Sequence, residues 1–103
     1  MIISSFCVSR AHPSLEGHFP GNPIVPGVVA LELILEALMR EVDDVYIHGF
    51  PQVKFHAPIY PEQDVSIRFT HKKDCVYDFI CEVGDKKVIS GKIKLALNGD
   101  SNG

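Results

Sequence analysis

A helix that is apolar almost all the way round must be covered on several sides, and residues 28–42 read as such a helix. Val28, Leu31, Ile34, Leu35 and Leu38 form a wide apolar face, which Val29, Ala30, Leu33 and Ala37 extend. Pro26 and Gly27 fit its start, because a proline needs no N–H donor there. Asp43-Asp44 ends it. Period-two segments follow. Val53, Phe55, Ala57 and Ile59 alternate with Lys54, His56 and Pro58, and Val65, Ile67 and Phe69 with Ser66, Arg68 and Thr70. Cys75, Tyr77, Phe79, Cys81 and Val83 share one face of the next strand, and Ile89, Ile93, Leu95 and Leu97 mark the last. Two shorter segments, 2–8 and 45–50, are expected to add strands at either side of the helix. The fold class is therefore α+β, with an antiparallel sheet curled around one long helix.

A length of 103 residues implies one domain, placed at 1–97, with the polar stretch 98–103 as a disordered tail. A domain this small gains from pairing with a second copy. The formal net charge is -3 and no basic block occurs, which argues against nucleic acid as a partner. Glu32 and Glu36 interrupt the longest apolar run, so no membrane insertion is expected. Met1 to Phe6 lacks a charged leader pattern. Cys7, Cys75 and Cys81 are odd in number and lack CxxC spacing. They read as free, mostly buried thiols in a reducing cytoplasm.

The loop before the helix is the richest in chemistry. From His18 to Gly27, ten residues hold three prolines and two glycines. Such a loop has few backbone states and suits the aiming of a side chain. Histidine is the side chain whose ordinary pKa lies near neutrality. Glu32 follows fourteen residues later, on the second turn of the helix. One imidazole and one carboxyl can serve as base and acid, provided apolar surroundings keep the carboxyl protonated. The N–H groups of Gly27 and Val28 open the helix without intrahelical acceptors. They can hold the oxygen of a polarised carbonyl.

Plainer readings exist for each residue. A histidine in such a loop can simply bond a backbone carbonyl. Glu32, Glu36 and Arg40 form a stripe at helical spacing that can be no more than a wet face, with a Glu36–Arg40 pair in the favourable order. His12, His48, His56 and His71 show no HxH or HxxxH spacing, so no metal site is expected. Solvent exposure is the simplest state for His56 and His71. Ser4, Ser5 and Ser14 lack a GxSxG context.

The run His18-Phe19-Pro20-Gly21-x-Pro23-x-x-Pro26-Gly27-Val28-x-x-x-Glu32 resembles the active-site signature of the FabZ-type 3-hydroxyacyl-(acyl-carrier-protein) dehydratases, with a glutamate where the sister FabA type has aspartate. Residues 49–63 and 87–93 are similar to later strands of that family. The resemblance implies a hot-dog fold and a homodimer with shared active sites, in which His18 of one chain faces Glu32 of the other. A higher oligomer or a hetero-oligomer is also compatible with it. It implies an acyl carrier protein as partner, the substrate riding on its phosphopantetheine arm, and no metal or redox cofactor. His18 and Glu32 would be catalytic. Gly27 and Val28 would bind the thioester oxygen, and Phe19, Pro20, Gly21, Pro23 and Pro26 would shape the loop.

Typical members carry a further N-terminal segment before the first strand here, and the stretch between Leu38 and Gly49 reads as shortened. These departures suggest an accessory dehydratase of a polyene or polyketide-like pathway. The alternatives carried forward are a hot-dog thioesterase and a non-catalytic acyl-binding subunit.

Overall fold

The computed structural model describes residues 1–15 and 23–97. Strand β1 (Ile2–Phe6) is followed by a short 3-10 turn, Pro13–Leu15, and by helix α1 (Gly27–Met39). Four strands complete the chain: β2 (Val45–Phe55), β3 (Val65–Lys73), β4 (Val76–Val83) and β5 (Lys86–Leu97). They form one antiparallel sheet in the order β1-β3-β4-β5-β2, packed against α1. This is the hot-dog arrangement that the resemblance implies.

Leu31, Leu33, Leu35, Ala37 and Leu38 are good helix formers, and α1 rests on them. Pro26 stands just before the helix with φ -60 and ψ 142 and offers no side-chain cap. The helix ends earlier than its apolar pattern, at Met39 instead of Val42. The N–H groups of Glu41 and Val42 both donate to the Leu38 carbonyl, at 2.9 and 3.2 Å, which tightens the last turn. Asp44 then takes a left-handed φ of 57 and turns the chain into β2. Packing favours this early stop, since Val45 must reach the core.

The two segments expected on either side of Pro51 are one long strand. Its pairing with β5 shifts register between Ile47 and Gly49 and again between Gly49 and Gln52. These irregularities absorb Pro51, which has no N–H for the ladder. β2 is an edge strand, and edges are where proline is tolerated.

Strand register sorts side chains into two faces. Phe69, Phe79, Gly91 and Val53 lie across from one another, and so do Ile67, Cys81, Ile89 and Phe55. These rows face α1, and Phe69, Phe79, Ile67, Cys81 and Ile89 are buried together with Ile34 and Leu38 of the helix. The rows between them face outward: Thr70, Asp78, Lys92 and Gln52, then Arg68, Ile80, Ser90 and Lys54. Asp78 accepts from Lys92 at 2.8 Å and lies 3.6 Å from Lys72, and Arg68 pairs with Glu82 at 3.3 Å.

Candidate functional site

Three backbone contacts build the walls of a cleft at the N-terminal end of α1. The Val25 N–H donates to the Ile59 carbonyl at 2.8 Å, fixing the last part of the proline loop to the segment after β2. The N–H groups of His56 and Ala57 both donate to the Val88 carbonyl, at 2.8 and 3.3 Å. That carbonyl is free to accept them because β5 is irregular there: Cys81 pairs with Ile89, but Glu82 pairs with Lys87. Val88 and its neighbour Ile89 are in consequence both buried.

The resulting cleft has a volume of about 540 Å³ and a mostly apolar wall. Ile24, Val25, Gly27 and Ala30 form one side, and residues 55–59 with Ile89 form the other. An acyl chain suits such a wall. At the mouth of α1, Val29 and Ala30 N–H groups donate to the Pro26 carbonyl at 3.0 and 3.1 Å. The N–H groups of Gly27 and Val28 have no acceptor among the described residues. These are the donors anticipated from the sequence, and Gly27 borders the cleft.

Glu32 is placed differently. At roughly 100° per residue it lies about 140° round the helix from Gly27, away from the cleft wall. It belongs to an exposed stripe of Val28, Glu32, Glu36 and Arg40. The described residues of this chain therefore do not supply the apolar surroundings expected of an acid kept neutral. Glu36 and Arg40 make no ion pair among the described residues, so their part of the stripe is simply solvated. His18, Phe19, Pro20 and Gly21 lie outside the described residues. Pro23 and Pro26 flank the Ile24-Val25 pair that enters the cleft wall.

Residues missed as site components were Ile24, Phe55 and Ile89, which the sequence showed only as apolar. Phe55 is 56% exposed although it is large and faces α1. Val28 is 65% exposed at the start of the helix. Both belong to an exposed apolar rim. His56 and His71 are exposed, as expected. His56 Nε2 bonds Ser90 Oγ at 2.8 Å. His71 donates from Nε2 to the Asp74 carbonyl at 2.6 Å and stacks on Tyr77.

Solved structures with the same architecture place the chain in a class. The dehydratase heterocomplex ApeI:P from Xenorhabdus doucetiae superposes with a TM-score of 0.80 at 22% identity, over 91% of this chain and 85% of that one. A fluoroacetyl-CoA thioesterase, FlK, superposes with a TM-score of 0.67 at 12% identity, over 98% and 88%. An apolar cleft at the start of the helix, on a sheet of this topology, defines a hot-dog protein. Within that class the sequence is decisive: the family model described as ApeI dehydratase matches residues 1–92. The chain belongs to the ApeI-like dehydratase family. It is also 31% identical to the 3-hydroxyacyl-(acyl-carrier-protein) dehydratase FabZ of Wolbachia sp. subsp. Drosophila simulans, over 87% of this chain and 71% of that relative. FabZ of Novosphingobium aromaticivorans is 30% identical, over 88% of this chain and 63% of the relative. The chain spans about three fifths of several such relatives, 61% of FabZ from Caulobacter sp. and 59% of that from Ehrlichia canis.

Proposed function

We propose that the chain removes water from a 3-hydroxyacyl thioester borne by an acyl carrier protein, giving the trans-2-enoyl thioester, in fatty-acid or related acyl biosynthesis. The observation that carries this reading is the His18-to-Glu32 signature on a hot-dog frame whose apolar cleft begins at Gly27. His18 takes the proton from C2. The electrons of that C–H bond form the new C2=C3 bond as the C3–O bond breaks. Glu32 of the partner subunit gives its proton to the departing hydroxyl, which leaves as water. Proton exchange then returns His18 and Glu32 to their starting states. The Gly27 and Val28 amides stabilise negative charge on the thioester oxygen. Base, acid and amides complete the elimination without a redox step, so no cofactor is called for. Free thiols in the chain suit a reducing compartment such as the cytoplasm.

Two copies are needed because Glu32 stands off the cleft of its own protomer. Edge strand β2, exposed Val28 and exposed Phe55 offer the joining surface. Closing a second copy over the stripe would surround Glu32 with apolar groups, which favour the neutral acid. A second reading replaces that copy with a different hot-dog subunit, for which the ApeI:P heterocomplex is a precedent.

A short 2-enoyl thioester tests the chemistry. Loss of conjugated absorbance without free thiol supports hydration, the reverse of the proposed step. Thiol release would instead select the thioesterase reading, which the FlK fold likeness keeps open. His18→Ala and Glu32→Gln should each lower the rate by about 10²-fold or more. Mixing the two inactive variants should restore part of the activity through mixed dimers. No recovery, with subunit exchange confirmed, would defeat the shared site.

A further inference from the structure

The sheet carries a charge separation that the proposed chemistry does not use. The chain is net negative, yet the outward rows of its strands are cationic. Lys54, Arg68, Lys72, Lys87, Lys92 and Lys94 stand there against only Asp78 and Glu82 among the described residues. On this face lies a half-polar hollow of about 280 Å³, its polar side lined by Gln52, Asp78, Lys87, Ser90 and Lys92 and the rest by Phe79, Ile80 and Gly91. Lys92 neutralises Asp78. Lys87 makes no ion pair among the described residues, so its ammonium group is available. The hollow thus offers ammonium, hydroxyl and amide donors, a set suited to a tetrahedral oxyanion. Its volume accommodates a phosphate group and several waters, each taking roughly 30 Å³.

One side-chain hydrogen bond links the lining of the hollow to that of the apolar cleft. His56 borders the cleft and bonds Ser90, which borders the hollow. A ligand with an anionic head, a flexible linker and an apolar tail would place its head on the outer face and its tail in the cleft, passing around the end of β2. We propose that this hollow binds the phosphate of the phosphopantetheine arm that carries the acyl thioester, with Lys87 as its principal cation and the His56–Ser90 pair beside the arm's path. This assignment rests on the thioester reading above. The same phosphate occurs on a carrier protein and on coenzyme A, so both are candidate sources.

The direct test is binding, which does not depend on turnover. 4′-Phosphopantetheine and phosphate-free pantetheine are titrated against the intact protein by NMR or calorimetry. The phosphorylated form should bind about tenfold more tightly. Lys87→Glu should erase the difference, and Lys87→Arg should keep it. Equal binding of the two compounds by the unaltered protein, or a preference that survives Lys87→Glu, would overturn the proposal. Because Lys87 is exposed, an unchanged unfolding curve will show that the variant is folded. Kinetics then separate the sources. A rise of about tenfold in KM on both carrier-bound and coenzyme A-bound enoyl thioesters, with a phosphate-free thioester unaffected, supports phosphate recognition. A rise confined to the carrier-bound substrate would assign Lys87 to the carrier's own surface and reject the phosphate site. If no thioester is turned over at all, the dehydratase reading fails while the binding experiment still decides this one.

Discussion

The ring of Phe55, at the end of β2, stands 3.0 Å from the point that a Cβ on Gly27 would occupy. The first residue of α1 and the cleft wall are therefore fitted to each other, and glycine is what allows the fit. Gly27→Ala forces the ring aside by a few tenths of an ångström. The ring is half exposed and can move, so stability should change by less than about 1 kcal/mol, as alanine's better helix propensity offsets the contact. Activity should fall by at least about tenfold, because small displacements of positioned groups are costly to the rate. Parallel thermal melts and initial rates check this; equal losses in both would remove Gly27 from the site.

Val28 tests the joining surface. It is the most exposed residue of the apolar helix start. Burying a valine contributes about 1.5–3 kcal/mol, and the proposed dimer would bury two. Val28→Glu should weaken self-association by about a hundredfold or more, since each 1.4 kcal/mol is tenfold. Sedimentation across a concentration series reads the shift. An unaltered association constant would place the interface elsewhere.

Gly91 tests the sheet. The Gln52 carbonyl oxygen occupies the space a Cβ would need there, and the Val53 backbone is also close. Backbone cannot rotate away, so Gly91→Ala must push β2 off β5. A loss of about 1–3 kcal/mol in urea unfolding is expected, toward the upper end. Gly49→Ala is the control, because nothing lies within 4 Å of its Cβ position. Similar losses for the two would contradict the close approach.

Asp78 gives a signed pH dependence. The hydrogen bond from Lys92 holds its carboxyl below the ordinary value of 3.8, outweighing a smaller opposing effect of desolvation, with the charges of Lys92 and Lys72 adding to it. A lowered carboxyl contributes stability above its unfolded pKa, and loses it as pH falls through the folded one. The native protein should thus lose stability below about pH 4 more steeply than Asp78→Asn does. The difference at neutral pH should stay near the 0.2–1 kcal/mol typical of about one exposed pair. Melting temperatures from pH 7 to pH 2 measure it, and parallel curves for the two proteins would count against the pair.

The cysteines differ in burial: Cys81 is buried, Cys75 half-buried and Cys7 exposed, so the expectation of mostly buried thiols does not hold. Burial pushes the Cys81 thiol up to about 12, whereas Cys7 is exposed. At pH 8 a thiol reagent should modify Cys7 quickly and Cys81 only when the protein unfolds. Mass mapping of a timed labelling reaction distinguishes them. Labelling of Cys81 at the rate of Cys7 would show that the core opens locally.

Most of the architecture could be read directly from residue patterns. Val65, Ile67 and Phe69 alternate as the inward residues of β3, and an apolar helix needs a sheet around it. Where the reading fell short, non-local effects decided. Pro51 divides the pattern of β2, yet the strand continues through it because β5 tolerates the register shifts. Val42 continues the helical pattern, yet the Leu38 carbonyl closes the last turn before it. For the candidate site, the sequence offered Gly27 and Val28 as amides without intrahelical acceptors, and its resemblance to a known signature, not spacing alone, singled out Glu32. It did not show that Glu32 faces away from the cleft that Gly27 borders.

The linear order of residues supplied the candidate chemistry: an imidazole, a run of prolines and glycines and a helix-borne carboxyl lie on one continuous segment, so their order and spacing can be read without the rest of the chain. Tertiary packing decided where that chemistry can operate. The irregularity in β5 that frees the Val88 carbonyl, the approach of Phe55 to Gly27, and the gathering of lysines from separate strands onto one face each depend on contacts between residues far apart in the chain. No short stretch encodes such contacts, because their energies exist only once the sheet has closed around the helix.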